Sequence, residues 1–264
     1  MRTLKFEELL PHELLEVQRR EQPIYLPVGS MEWHGPHMGM GVDACNAYAV
    51  ALGAAAVTGG AVYPPLYIGT ETYRSAQSLA RLGLPENARV KGMDFPANSL
   101  PSFYWPPELF EQIIAAQLDL LCGVGFLHLA VINGHAAAVQ KEILARQCAR
   151  CETQYGARAA AVTALFEGCG AGLGHAGLAE TAIMQYLRPD AVELTRLPAA
   201  PQPLFYADWG IADAGGSGSG DFTVRFDPRA ATPELGETIT RYAAQQCVLA
   251  LRKAGVAEEF AQNV

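Results

Sequence analysis

The sequence has few positive charges and no apolar segment long enough to cross a membrane. Its 19 lysine and arginine residues are outnumbered by 27 aspartate and glutamate residues, which gives a net charge of −8 and an isoelectric point near 5.3. With no basic patch either, we expect neither nucleic acid nor an anionic membrane surface as a partner. The longest apolar run, residues 120–132, is too short for a bilayer and contains His128. Glu7 and Glu8 stand where a signal peptide would be apolar, so we expect a soluble, cytoplasmic protein.

Cysteine is also scarce, and its spacing forms no disulfide framework. Six cysteines are scattered over 264 residues, and we expect them to be reduced thiols in a cytoplasmic chain of this size. Cys148 and Cys151 have the spacing of a zinc or redox pair, but they lie in a helical pattern without a second pair, which favours a structural role. No internal repeat or domain boundary is visible. Residues 1–264 are therefore expected to form one domain, with a Gly/Ser-rich loop at about 213–221.

What the sequence does contain is a regular alternation of strand and helix patterns. Half of its residues are hydrophobic, which is enough for a large core. Apolar runs typical of buried parallel strands lie at 24–29, 60–68, 126–132 and 158–165, and helical patterns lie at 43–57, 106–122, 135–153, 175–187 and 232–254. The alternation predicts a three-layer α/β/α fold with a mostly parallel central sheet, in which ligands bind at the carboxyl ends of the strands.

Potential metal ligands follow the first predicted strand. Glu32 and His34 are two residues apart, so an extended backbone would direct both side chains to the same face. Asp43 follows after a glycine-rich turn. Carboxylate and imidazole ligands suit Zn²⁺, Mn²⁺ or Fe²⁺, and a carboxylate can bridge the two ions of a two-metal hydrolase. The alternative interpretation is a surface turn with incidental charges.

Three further residues are candidates for the same site. His135 follows the strand predicted at 126–132, on the sheet edge where ligands are expected. Glu180 falls on the apolar stripe of its helix, and a buried carboxylate needs either a metal ion or a charged partner such as Arg188. His175 is suited to general acid–base catalysis, unless it serves only to start the helix.

Together these motifs resemble the creatininase family of metal-dependent amidohydrolases. The similarity extends from about residue 22 to residue 240, with several motifs in the family's order. The matching residues are Pro27-Val28-Gly29-Ser30-x-Glu32-x-His34-Gly35-Pro36-His37 with Asp43, Asn133-Gly134-His135, His175-Ala176-Gly177-x-x-Glu180-Thr181 and Asp227-Pro228-Arg229-x-Ala231-Thr232. The resemblance implies a three-layer fold, two divalent metal ions per chain (Zn²⁺, Mn²⁺ or Fe²⁺), hydrolysis of a C–N bond in a small amide, and a homo-oligomer, usually a hexamer.

The resemblance also assigns metal ligands, with Asp43 as the bridging carboxylate. The matching ligands are Glu32, His34, Asp43, His135 and Glu180. Glu180 corresponds to the ligand of many members outside the true creatininases and, with His175, is an expected catalytic residue. Creatinine-hydrolysing members instead carry a ligand glutamate at the position of Ala137, which argues against creatinine as the substrate.

The regions that would contact the substrate depart most from the family pattern. An apparent insertion at about 73–94 indicates rebuilt walls around the metal centre. The expected substrate contacts are Tyr73, Arg74, Trp105 and Trp209. Arg74 would hold a substrate carboxylate in a bidentate pair, unless it is a surface arginine; the aromatic residues would line the pocket, unless they belong to the core.

Two other functions remain open at the level of sequence. One is a deformylase or peptidase-type relative with the same metal centre. No basic cluster near the motifs would hold nucleotide phosphates, and the insertion would narrow the open cleft that a peptide needs. The other is a catalytically inactive member that binds a ligand. The main argument for it is that Ala136-Ala137-Ala138 follow His135, where many members of the family have Gly-Gly-Asn.

Overall fold

Four apolar segments pair into a parallel sheet in a computed structural model of the protein, which describes residues 2–200, 202, 204 and 226–257. The strands are β1 (Ile24–Val28), β2 (Ala61–Val62), β3 (His128–Asn133) and β4 (Arg158–Thr163), in the spatial order β2-β1-β3-β4. Val28 lies opposite Asn133. Because β1 and β3 are parallel neighbours in this register, their carboxyl ends meet at the same edge of the sheet.

Helices cover both faces of the sheet. They are α1 (Pro11–Arg19), α2 (Val42–Thr58), α3 (Ala76–Arg81), α4 (Pro107–Gly123), α5 (Ala138–Tyr155), α6 (Leu178–Leu187) and α7 (Pro233–Lys253), with 3-10 turns at Phe6–Glu8, Pro189–Ala191, Leu194–Arg196 and Pro228–Ala230. Successive strand residues face opposite sides: Leu26 and Val131 pack against α1, α4 and α5, whereas Tyr25 and Ile132 pack against α2 and α7. The predicted three-layer α/β/α fold with a parallel central sheet is confirmed.

The observed elements differ from the predicted ones in several places, and two of these differences have a local cause. The strand predicted at 60–68 is restricted to β2, because Pro64 and Pro65 have no N–H group for a neighbouring strand. The helix predicted from residue 175 begins only at Leu178, since Ala176 has a φ of 52°, in the left-handed region. The helices α1 and α3 have no predicted counterpart; α1 buries a single residue, Val17.

The segment at 73–94 packs around apolar residues of its own. It contains α3, and an isolated antiparallel bridge joins Tyr73 to Lys91. Its buried cluster consists of Leu79, Val90, Met93 and Phe95. It stays a prediction that this segment is an insertion and that the chain forms one domain. The predicted loop at 213–221 lies outside the described residues. None of the described helices is both long enough and apolar enough to traverse a bilayer.

Candidate metal centre

The ends of β1 and β3 bring three predicted ligands to one edge of the sheet. Glu32 and His34 follow β1, and His135 follows β3. Asp43, the second residue of α2, joins them there. All four side chains are buried, with exposed fractions of 5% or less. The chain therefore buries two carboxylates and two imidazoles together at the position where a parallel sheet binds its ligands.

Two glycines allow α2 to approach the strand ends closely enough for Asp43 to reach the site. A Cβ atom at Gly29 would lie 2.3 Å from the backbone nitrogen of Ala44. A Cβ atom at Gly134 would lie 2.0 Å from the carbonyl oxygen of Asp43. Both distances are far shorter than a van der Waals contact. Any larger residue at either strand end would push the start of α2 away from the sheet.

Three groups of possible ligand atoms occur among the described residues, and two of them share Asp43; the third consists of Glu32, His34 and His175. In the first group, Nδ1 of His135 lies 3.1 Å from Oε2 of Glu32 and 3.0 Å from Oδ2 of Asp43. In the second, Nε2 of His34 lies 3.3 Å from Oδ1 of Asp43 and 3.6 Å from Oε2 of Glu180. Each group presents three possible ligand atoms within 4.8 Å of one another. Asp43 thus directs one carboxylate oxygen to each of the two groups that share it.

The environment of His34 fits a metal ligand better than a hydrogen-bonding residue. Its Nδ1 lies 3.0 Å from the carbonyl oxygen of Glu32, and since a carbonyl can only accept, Nδ1 carries the hydrogen. Its Nε2 is fully buried and makes no hydrogen bond. Ligands about 2.0–2.1 Å from a common ion lie roughly 3 Å from one another, which is close to the separations in both groups. The residues present therefore fit two divalent cations.

Hydrogen bonds from two further side chains fix the carboxylates of the first group. The Ser30 hydroxyl donates to Oδ2 of Asp43 and lies 3.1 Å from Nδ1 of His135. The Tyr104 hydroxyl donates to Oε1 of Glu32, which leaves Oε2 facing His135. Burial and the neighbouring Glu32 carboxylate raise the pKa of Tyr104 well above its ordinary value, so its hydroxyl keeps the proton that it donates. Such contacts orient a ligand before any ion binds.

Glu180 is held by backbone instead. Its side chain is 8% exposed, as expected from its place on the apolar stripe of α6. The Ala176 N–H donates to Oε2 of Glu180 at 2.6 Å, and the left-handed conformation of Ala176 belongs to this turn. Arg188, the alternative partner considered from the sequence, donates instead to the Leu187 carbonyl. Among the described residues, only His34 offers Glu180 a potential ion pair.

The pKa values reflect three carboxylates enclosed in one buried site. Burial raises the pKa of Glu180 to about 7. Burial alone would lower the pKa of His34, but the carboxylates of Glu180 and Asp43 outweigh it and raise that pKa to about 10. The pKa of His135 is also raised, because Glu32 and Asp43 outweigh its burial. Without metal ions, protonated imidazoles balance the carboxylate charge; divalent cations would replace those protons.

His175 lies beside the ligands with one nitrogen free to act. Its Nε2 donates to the Trp33 carbonyl at 2.6 Å, which leaves the lone pair on Nδ1. That Nδ1 lies 4.0 Å from Oε2 of Glu32, and the His175 ring centroid is 4.3 Å from that of His34. Burial and the neighbouring His34 lower the pKa of His175 to about 4. His175 is therefore neutral at neutral pH and can accept a proton at Nδ1.

A cavity of about 680 Å³ opens onto four of the five candidate ligands. Besides those ligands, its described lining includes Glu71, Tyr73, Arg74, Ala137, Lys141 and His175. Tyr73 and Arg74, two of the predicted substrate contacts, belong to this lining. Trp105 does not, and Trp209 lies outside the described residues.

Sequence reasoning assigned no role to two residues that contact the ligands, Ser30 and Tyr104. Tyr104 precedes Trp105, which forms an isolated parallel bridge with Thr70. The Tyr104 side chain contacts the ligands, whereas Trp105 is 36% exposed. A signal for Ser30 was available, because it lies two residues before Glu32 and would face the same side of an extended segment.

Comparison with known proteins gives a consistent assignment. The family model described as Creatininase, creatinine amidohydrolase, matches residues 7–251. A structure described as creatininase Mn has 22% identity and a TM-score of 0.68, with 95% of this chain and 98% of that chain covered. A mutant creatininase of Zn-Zn type has 21% identity and a TM-score of 0.68, with coverages of 96% and 98%. A mutant creatininase complexed with creatine has 20% identity and a TM-score of 0.66, with coverages of 95% and 98%.

These structural similarities lie below 25% identity and establish the shared fold. A search of curated protein sequences found no significant match. The family match spans nearly the whole described chain, including both strand ends and α6, from which the candidate ligands come. On this evidence the protein belongs to the creatininase family.

Proposed function

We propose that the protein is a metal-dependent amidohydrolase that cleaves a C–N bond of a small amide with an activated water molecule. The observation that carries this proposal is the position of Asp43, whose two oxygens face two separate groups of ligand atoms. The five proposed ligands are Glu32, His34, Asp43, His135 and Glu180. The fully buried Nε2 of His34, which faces Asp43 and Glu180 without a hydrogen bond, supports the same assignment.

The chain's own residues provide positioning and proton transfer. Two bound divalent cations would activate water and polarise the amide carbonyl. Tyr104 and the Ala176 N–H hold the carboxylates of Glu32 and Glu180 in place. His175 takes a proton from the attacking water at Nδ1 and delivers it to the departing nitrogen as the C–N bond breaks, while the water oxygen stays on the carbonyl carbon. His175 can do this because the Trp33 carbonyl fixes its tautomer.

The substrate proposed is a small molecule other than creatinine. The cavity volume of about 680 Å³ lies within the range of small-molecule sites. One of the similar structures is a mutant creatininase complexed with creatine. In this chain the lining residue Ala137 offers no carboxylate, and the fifth ligand comes from Glu180 on α6 instead. The cavity next to the candidate ligands therefore differs from that expected of a creatinine-hydrolysing member.

The first test is metal content measured by mass spectrometry on protein purified without added metal. We expect about two ions per chain in the wild type and loss of both in Asp43→Ala, because Asp43 contributes to both groups. The matched control is Asp190→Ala, which removes a carboxylate from the exposed Pro189–Ala191 turn and should retain both ions. The wild-type protein should then release ammonia or an amine from small amides.

The outcomes separate the competing functions. One ion or none after reconstitution would contradict the two-metal proposal. Two ions with no turnover of any amide, together with ligand-induced thermal stabilisation, would favour the inactive ligand-binding member. Loss of a single ion in Asp43→Ala would mean that Asp43 serves one metal only and is not a bridge.

A further inference from the structure

Glu71 is a carboxylate in the cavity wall that belongs to neither group of ligands. It lines the same cavity as the metal centre and is half-buried. Its Oε2 accepts a hydrogen bond from the Thr72 N–H at 2.9 Å. None of the ion pairs found among the described residues involves Glu71. A carboxylate has about four acceptor positions, so most of the hydrogen-bonding capacity of Glu71 is left for a bound molecule.

The backbone beside Glu71 is fixed, which gives its carboxylate a defined place in the wall. The N–H of Thr70 donates to Oε1 of Gln140 at 2.9 Å, and the Thr70 hydroxyl donates to the Trp105 carbonyl at 2.8 Å. Thr70 and Gln140 are both fully buried. These hydrogen bonds hold Thr70, the residue before Glu71, between α5 and the segment around Trp105. The backbone at Glu71 therefore needs little ordering when a ligand binds, which suits Glu71 to selecting a ligand.

Two cationic residues of the wall, Arg74 and Lys141, form no ion pair with Glu71, although the charge of Arg74 acts on its carboxylate from a distance. Nε of Arg74 donates to the Gly92 carbonyl at 2.6 Å, and its guanidinium lies 5.3 Å from the centre of the Phe95 ring. Arg74 is thus directed toward the 73–94 segment. Lys141 is exposed, where water and salt screen its charge. The half-buried part of the wall therefore presents to the cavity a carboxylate that has no ion-pair partner among the described residues.

We propose that Glu71 forms a subsite for a protonated amine, and that the preferred substrate is a small amide carrying an ammonium group. This inference rests on the proposed amidohydrolase function and adds the class of its substrate. The ammonium group donates to Glu71 while the amide carbonyl lies at the metal centre. A charge-assisted hydrogen bond of this kind corresponds to a preference of about tenfold or more over a neutral isostere. An anionic group in the same place would be repelled.

The test compares amides that differ only in replacing a terminal ammonium by methyl. The pairs are glycinamide with propanamide, β-alaninamide with butanamide, and γ-aminobutyramide with pentanamide, which sample three distances between the cation and the amide. For each pair, kcat/KM is measured from ammonia release by the metal-loaded protein. We expect at least one amine-bearing amide to be preferred about tenfold, and Glu71→Gln to abolish that preference.

The matched control is Glu86→Gln, which makes the same chemical change at an exposed position of the 73–94 segment outside the described cavity lining. It should keep the preference. Metal content is measured in every variant, because loss of metal in Glu71→Gln would make Glu71 part of the metal centre and overturn the inference. Equal kcat/KM values within all three pairs in the wild type would also overturn it, while leaving the amidohydrolase function intact.

A binding measurement separates failure of the inference from failure of the proposed function. Propylamine is titrated calorimetrically into the metal-loaded wild type and into Glu71→Gln. Binding that is at least tenfold weaker in the variant would support the amine subsite even if no amide is hydrolysed. Equal binding to both proteins, with no preference in turnover, would refute it.

Discussion

Replacing Gly134 by alanine tests whether the close approach of α2 to the strand ends creates the metal centre. The new Cβ would lie 2.0 Å from the carbonyl oxygen and 2.6 Å from the carbonyl carbon of Asp43. Restoring ordinary contact at 3.4 Å requires the two backbones to separate by about 1.4 Å. Asp43 would then move away from His135, whose Nδ1 now lies 3.0 Å from Oδ2.

This displacement exceeds what a metal site tolerates, since ligands must lie within about 0.5 Å of their productive positions. Overpacking of this kind costs about 1–3 kcal/mol of stability. We therefore expect Gly134→Ala to unfold at a lower temperature and to lose most of its metal. Thermal unfolding followed by circular dichroism, and metal content by mass spectrometry, measure the two effects.

The control is Gly123→Ala at the end of α4, where a Cβ would meet no atom within 4 Å. Its stability should change by no more than about 1 kcal/mol, because alanine is the better helix former, and its metal content should be that of the wild type. If Gly134→Ala bound metal normally and unfolded with the wild type, the close packing of α2 on β3 would not be what positions Asp43.

Three further predictions concern the ligands and their neighbours. His175→Ala should lower kcat by about 10²–10⁴-fold with metal content nearly unchanged; lost metal would instead make His175 a ligand. Tyr104→Phe should weaken metal binding by about 10–100-fold without unfolding the protein, since it removes only the hydroxyl that donates to Glu32 and accepts from the Met93 N–H, and unchanged affinity in a chelator competition would contradict this. Because the pKa of His34 is raised from 6.5 to about 10 without metal, its stabilising contribution to the metal-free fold is complete below pH 6.5 and lost as pH rises through 10. Metal affinity should increase over the same range with release of protons, measurable by calorimetry in buffers of different ionisation enthalpy; a pH-independent affinity would refute the link.

The apolar runs and the helical stripes account for how much of the fold could be predicted. The strands at β1, β3 and β4 are apolar enough to require burial on both faces, which leaves a covered parallel sheet as the natural solution. The stripe on α6 likewise required Glu180 to be buried, as it is. Local rules also explain the departures. Proline shortened β2 and the left-handed Ala176 delayed α6, and neither changed the order of the layers.

At the site, the sequence likewise predicted some relations between the candidate ligands, whereas the packing of distant segments set the others. The sequence predicted Glu32 and His34 on one side of an extended segment and His135 at a neighbouring strand end, because these relations depend on local spacing and on the sheet-edge rule. Nothing local indicated Tyr104 as a partner of Glu32, which is 72 residues away along the chain. The motif included Asp43, but its two-sided position depends on α2 packing between Gly29 and Gly134.

By itself, then, the sequence determined the layered α/β fold, the family and the set of candidate ligands, since periodicity and short motifs are properties of neighbouring residues. Tertiary structure alone decided which atoms face one another: the two oxygens of Asp43 toward separate imidazoles, Arg74 turned toward Gly92, and Glu71 left without a cationic partner among the described residues. Those relations join distant segments. They depend on how helices pack on the sheet to within about an ångström, a distance that no pattern of neighbouring residues encodes.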